Sequence, residues 1–208
     1  MNRIKTFFIS FIILFGLLVA VSCRTPGTYF IGVKYAGMPE TSIQGTALMG
    51  IQSFLDKREE ESKNSIGARI VGKGQKELFM SSQASVADSV TSAFKEYAEK
   101  RGFEAQSISG WDFSPEGLKT LDKGLKYVLG GHIEKLRCDA TKRVGRTNMA
   151  LEIKITTYVG SVETGSVTKR PFEIKLKRTD HTFGAPGLEK FVNESLAKVI
   201  ANTLADLN

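Results

Sequence analysis

Cysteine, histidine, proline and tryptophan are all scarce in this 208-residue sequence, and each scarcity excludes something. Two cysteines, Cys23 and Cys138, cannot build the disulfide framework of a small secreted domain. Two histidines, His132 and His181, lie far apart without neighbouring ligand spacing, whereas a zinc site takes three or four N, S or O ligands, so neither a metal nor a cofactor is expected. Five prolines beside 25% charged and 41% hydrophobic residues exclude a disordered or collagen-like chain. No Gly-x-Ser-x-Gly elbow appears; Gly160-Ser161 and Gly165-Ser166 fall in hairpin loops. Gly67-Ala68-Arg69-Ile70-Val71-Gly72-Lys73 nearly spells a phosphate-binding loop, but Gly74 follows the lysine where Ser or Thr would hold Mg²⁺. No strong strand precedes it and no helix begins at the lysine, so it reads as a flexible Gly-rich loop and no nucleotide is expected. No aromatic–basic stacking platform is present for nucleic acid. No catalytic set of acid, base and nucleophile can be brought together, and the chain is expected not to be an enzyme.

What is present begins at the N-terminus. Asn2, Arg3 and Lys5 form a basic start, and Phe7 to Val21 is apolar except for Ser10 and Gly16. Ser22 and Cys23 follow. This is the pattern of a secretory signal peptide over residues 1–22. The apolar run is short for a spanning helix, which takes about 20 residues, and an uncleaved anchor helix is the alternative. Residues 1–22 hold Arg3 and Lys5 and no acid, so a net charge of +7 becomes +5 from Cys23 onward. That excess is modest and is no nucleic-acid signature.

Ala20-Val21-Ser22-Cys23 resembles the lipobox of bacterial lipoproteins. That resemblance implies a diacylglycerol on the Cys23 thiol, cleavage before it and acylation of the new amine. Two or more chains are what stable anchoring takes, at roughly 0.8 kcal/mol per buried CH₂. Arg24 follows, where in such lipoproteins Asp marks inner-membrane retention, so an outer-membrane location is implied, with the domain in the periplasm or at the cell surface. With Cys23 lipidated, Cys138 is an odd thiol, half-buried near a strand end or paired between molecules.

Periodicity sets out the rest. Residues 23–27 are a short tether. Thr28 to Tyr35 alternates as a strand; Gly37 to Gly50 reads as loop; Ile51 to Leu55 is a candidate strand. Asp56 to Glu61 reads as a solvated charge run in which Asp56 can pair with Arg58, and residues 62–78 show little pattern. Ser85 to Arg101 carries one apolar face through Val86, Val90, Ala93, Phe94 and Tyr97 and ends before Gly102, the mark of a helix. Phe103 to Ile108 is extended, Ser114-Pro115 opens a short helix, and Leu125 to Leu136 is a strand with Gly130-Gly131 inside it. Two strands then alternate cleanly, Leu151/Ile153/Ile155 against Glu152/Lys154 and Phe172/Ile174/Leu176 against Glu173/Lys175/Lys177. A helix follows from Pro186-Gly187 to about Leu207, with Leu188, Phe191, Val192, Val199, Ile200 and Leu204 on one stripe. The expected fold is α/β (α+β-like): one domain over 28–208, a mixed, mostly antiparallel sheet of about five strands, with two long helices and one short helix packed on one face.

The order of elements over 83–134 resembles the small domain of the TolB amino-terminal domain, CsgG and LpoB. Over about 23–207 the chain is similar to YajG-like lipoproteins, through Cys23, Ile31-Gly32-Val33, Asp56-Lys57-Arg58 with Ile66-Gly67, the long helix and the amphipathic C-terminal helix. The resemblance implies an envelope lipoprotein without known chemistry. Residues 125–178 hold twelve basic and five acidic side chains. Lys142, Arg143 and Arg146 crowd one hairpin, and Lys175 and Lys177 share a strand face. Such a surface suits an acidic protein, peptidoglycan, lipopolysaccharide or anionic lipid, with an ordinary solvated sheet face as the alternative. The function expected is therefore a non-enzymatic, membrane-anchored binding or assembly module, with a cell-wall hydrolase as the alternative.

Overall fold

The computed structural model describes residues 27–39 and 47–204. The signal segment and Cys23 lie outside them. Nine strands form one sheet: β1 (Thr28–Ile31), β2 (Ala47–Gln52), β3 (Leu55–Asp56), β4 (Ser65–Ile70), β5 (Lys76–Ser81), β6 (Phe103–Ile108), β7 (Tyr127–Arg143), β8 (Arg146–Ser161) and β9 (Ser166–Asp180). Among the described residues three α-helices accompany it: α1 (Val86–Lys100), α2 (Pro115–Leu118) and α3 (Ala185–Leu204).

Strand β7 is the spine. Along one edge it pairs antiparallel with β8 over its whole length, and β8 pairs with β9 in the same way. Its other edge takes three short strands in succession, all parallel to it: β2 at Tyr127–Leu129, β3 at His132–Ile133 and β4 at Cys138–Thr141. Outside β2 lies β6, and outside β4 lie β5 and then β1.

The expected five-stranded α/β sheet is therefore corrected to a mostly β protein with nine strands. The sheet is mixed: five of its eight described strand pairings are parallel, but they are short, and most paired residues lie in the antiparallel β7–β8–β9 ladder. The reason lies in the short strands. Ala47–Gln52 lies partly in the expected loop and contains Gly50; β4 contains Gly67 and a register shift at Ser65/Gly67. Their apolar alternation is too brief and too broken by glycine to read as strand. Gly67 sits at φ 142, and a Cβ there would meet the Cys138 carbonyl, so glycine is what lets β4 close on β7.

Helices α1 and α3 cover one face. Leu129, Ile133 and Leu136 of β7 and Ile153 and Ile155 of β8 are buried there against Val90, Phe94, Val192, Leu196 and Ile200. Ser85 caps α1, accepting from the Asp88 amide at 3.0 Å, and Gly102 at φ 97 ends it. Residues 32–35 are tied to the helices by hydrogen bonds. Glu189 accepts from the Gly32 amide (2.9 Å), Asn193 bonds both Gly32 O (2.8 Å) and Lys34 N (3.1 Å), and Glu96 accepts from Tyr35 N (3.3 Å). The last carbonyls of α3 are met by two guanidinium groups, Arg170 on Thr203 O and the fully buried Arg101 on Leu204 O.

The charge run at 56–61 is solvated only in part. Arg58 is buried and forks onto Asp56 through Nε and Nη2, each at 2.9 Å. Its remaining donors reach the carbonyls of Ser65 (2.6 Å), Lys63 (3.0 Å) and Leu136 (3.4 Å). The short helix corrects the expected layering too: α2 packs on the face opposite α1 and α3.

Candidate functional site

That opposite face is covered at one end only. Segment 109–126 lays Trp111, Leu118 and Leu125 over Val128, forming a second small core. Phe113, held at φ 64, stacks on Tyr158 with centroids 4.9 Å apart, and both rings stand edge-on to His132 at 5.2 and 5.4 Å. Gly130 leaves the room for this, since a Cβ there would strike the Phe113 ring. Burial holds the His132 imidazole below its usual range, so it is neutral at pH 7. Its ring neighbours make it a packed side chain. His181 lies at the far end of the sheet, with Nδ1 3.2 Å from Gly145 O. The two histidines are not brought together, and among the described residues no cluster of three or more His, Cys, Asp or Glu side chains has the arrangement of a metal site. Cys138 faces the helix side, is buried, and is pushed up to about 12 by that burial, so its thiol is inert at neutral pH.

Beyond Tyr158 the face lies open. Strand register aligns Arg137 with Glu152 and Lys175, and Asp139 with Ala150 and Lys177. Because Ala150 is small, it leaves a floor between taller neighbours. The result is a groove of about 480 Å³ lined by Arg137, Asp139, Ala150, Glu152, Lys175 and Lys177. It continues through Asp139, Ala150 and Lys177 into a hollow of about 540 Å³ that also takes in Arg146.

Two ion-pair chains border the groove. Arg137 bonds Asp139 (2.8 Å) and Glu60 (2.9 Å), and these hydrogen bonds push its guanidinium above its usual value. Lys175 bonds Glu173 (2.9 Å) and Glu152 (3.2 Å); the hydrogen bond to Glu173 raises the amine and lowers the carboxyl. Lys177 and Arg146 have no acidic partner among the described residues. The two chains together hold two cations and four carboxylates, so the walls are net negative and the two positive points are Lys177 and Arg146.

The five basic residues expected to form one surface are divided by the fold. Lys175 is committed to its ion pairs. Lys177 and Arg146 share the hollow. Lys142 and Arg143 lie at the tip of the β7–β8 hairpin, and Arg146, paired with Arg143, stands where the tip meets the hollow. Glu60, Arg137 and Asp139 were not expected at the site. They meet only because β7 runs on past Leu136, where the sequence strand was expected to end.

The sequence matches no protein-family model and no curated protein. Its fold is found in solved structures. An uncharacterised protein aligns over 88% of this chain and 100% of its own, at 12% identity and a TM-score of 0.54. Protein XCC0632 from Xanthomonas campestris, of family DUF330, aligns over 86% and 95%, at 12% identity and a TM-score of 0.54. Lipoprotein GNA1162 from Neisseria meningitidis aligns over 75% and 99%, at 9% identity and a TM-score of 0.40, a likeness too loose to carry an argument. At these identities what is shared is the fold.

Proposed function

We propose that this chain is a non-enzymatic envelope lipoprotein, anchored through Cys23 to the outer membrane, whose open sheet face holds an envelope protein that presents carboxylates. The observation that carries this reading is the groove of about 480 Å³ with Ala150 as its floor, together with Lys177 and, in the adjoining hollow, Arg146, two cations without an acidic partner among the described residues. Exposed Leu55 and Ile70 on neighbouring strands extend the same face with apolar area. The lipobox-like Ala20-Val21-Ser22-Cys23 and the likeness to YajG-like lipoproteins and to the TolB/CsgG/LpoB group support the anchor and the accessory role. Paired walls give a partner a fixed register, and the two free cations give it a sign.

Replacing Ala150 by a photo-crosslinking amino acid in intact cells is expected to capture one protein. The double charge reversal Lys177→Glu/Arg146→Glu should lower that yield by roughly tenfold or more, because like charges set against each other cost several kcal/mol. A crosslink that dissolves on lysozyme treatment would instead make the ligand peptidoglycan. The anchor has its own test. A palmitate analogue should label the wild type and leave Cys23→Ala unlabelled, and with Arg24 in place the labelled protein should fractionate with the outer membrane. Labelling of Cys23→Ala, or recovery with the inner membrane alone, would refute the anchor or its location respectively.

A further inference from the structure

We infer that the end of the sheet from which the tether leaves is a docking surface for the anionic phospholipid headgroups of the leaflet that holds the anchor. This rests on the lipidation of Cys23 proposed above. The tether is short: residues 24–27 separate Cys23 from Thr28, a reach of at most about 17–18 Å at roughly 3.3–3.6 Å per residue. Where it enters the fold is fixed, because Gly27 O accepts from Leu78 N (3.1 Å) and Thr28 pairs with Leu78.

Register locates what surrounds that point. Two residues before Leu78 on β5 is Lys76, opposite Ile70 of β4, and Ile70 lies beside Thr141 of β7. Next along β7 come Lys142 and Arg143, and Arg143 faces Arg146 across the hairpin turn. Lys73 sits in the turn between β4 and β5, the 3₁₀ segment Gly72–Gly74. Five cations, Lys73, Lys76, Lys142, Arg143 and Arg146, therefore share one end of the sheet, with strands only about 4.8 Å apart. None has an acidic partner among the described residues. The acids nearby are taken: Glu77 by Arg69, Asp139 by Arg137 and Asp180 by Arg178. At the tip between the arginines stands Val144, wholly exposed, and Ile70 is exposed as well. Apolar side chains ringed by unpaired cations, held within a tether's length of the anchor, are complementary to an anionic leaflet.

The lipidated mature protein, from Cys23 onward, tests this in phosphatidylcholine vesicles with and without phosphatidylglycerol. A fluorophore is placed at Val144→Cys or, at the opposite end of the sheet, at Thr164→Cys; buried Cys138 does not compete for the label. With phosphatidylglycerol present, a lipid-borne quencher should quench the Val144→Cys label severalfold more than the Thr164→Cys label. Each basic residue near the surface is worth on the order of fivefold in association. The difference should therefore vanish in Lys142→Glu/Arg143→Glu/Arg146→Glu and weaken as salt rises. Vesicle flotation separates the two readings. Protein that floats but quenches equally at both positions overturns the docking surface alone. Protein that does not float overturns the anchor, and the docking surface with it.

Discussion

Arg58→Ala is expected to destabilise the protein by about 3–5 kcal/mol, the usual cost of breaking a buried ion pair from one side. Many domains have only about 5–15 kcal/mol in total, so the loss should be visible as a large fall in the urea midpoint at pH 7. All five guanidinium donors are engaged: two on Asp56 and three on the carbonyls of Lys63, Ser65 and Leu136. Alanine would strand those carbonyls and leave the Asp56 carboxylate, 9% exposed, without its counter-charge. Arg58→Lys should recover little, because an ammonium cannot fork onto a carboxylate. The pH dependence gives the interaction its signature. Burial alone would raise the Asp56 carboxyl, but the hydrogen bonds and charge of Arg58 outweigh it and hold the group below its usual 3.8. A lowered folded value means that the stabilisation is complete above about pH 4 and is lost as pH falls through the folded value. In Arg58→Ala burial, the largest single cause, remains and raises the carboxyl, opposed only by the charge of Lys63. The deficit of the variant should therefore shrink as pH falls toward 4. A deficit that stays constant from pH 7 down through the wild-type folded value, below 3.8, would show that Arg58 acts through its carbonyl bonds and not through Asp56.

The same residue shows why part of this fold is legible in the sequence and part is not. Helix α1 and strands β8 and β9 announce themselves, because each repeats one apolar period over several turns or pleats and is bounded by residues such as Ser85 and Gly102. Asp56-Lys57-Arg58-Glu59-Glu60-Glu61 looks uniformly polar, and nothing local marks Arg58 as the member that turns inward. Its partners Ser65 and Leu136 lie 7 and 78 residues away, so its burial is set by the tertiary fold. Strands β2, β4 and β5 are hidden for a related reason. Each buries only a few apolar side chains, such as Met49, Ile66 and Phe79, and draws its pairing from a long central strand that no local pattern reveals. Beyond Leu136 that strand buries only Cys138 and Ala140 toward the helices, too weak a signal to extend it. The candidate site suffers most. Lys175 and Lys177 are one pleat apart and chemically equal in the sequence, yet cross-strand register sets Glu152 opposite the first and Ala150 opposite the second. One lysine becomes part of a wall and the other a free charge over a floor.

Phe191→Ala should likewise cost about 3–5 kcal/mol, the range for truncating a core phenylalanine. For a chain of this size that corresponds to a fall in melting temperature of roughly 6–20 °C. From the sequence the apolar stripe of the closing helix is expected to pack on its own sheet, with a partner or lipid as the alternatives. The structure puts it on its own sheet. Phe191 is 7% exposed, and Leu188, Val192, Leu196, Val199 and Ile200 are fully buried in the same core as Ile153 and Ile155 of β8. The guanidinium of Arg178 on β9 lies 5.8 Å from the Phe191 ring centroid, so the truncation also removes a cation–π contact. Repacking should not refill the space, because the helix is fixed along its length. Asn193 and Glu189 tie its first turns to residues 32–34, and Arg101 and Arg170 hold its last carbonyls. The measurement suits the lipid-free 24–208 fragment, since the core runs from Ile31 to Leu204 and lies wholly within it. Lys198→Ala, on the exposed side of the same helix, should stay within about 0.5 kcal/mol of wild type. If Phe191→Ala left the melting temperature unchanged and abolished membrane or partner binding, the stripe would be an interaction surface and its packing on the sheet would be wrong.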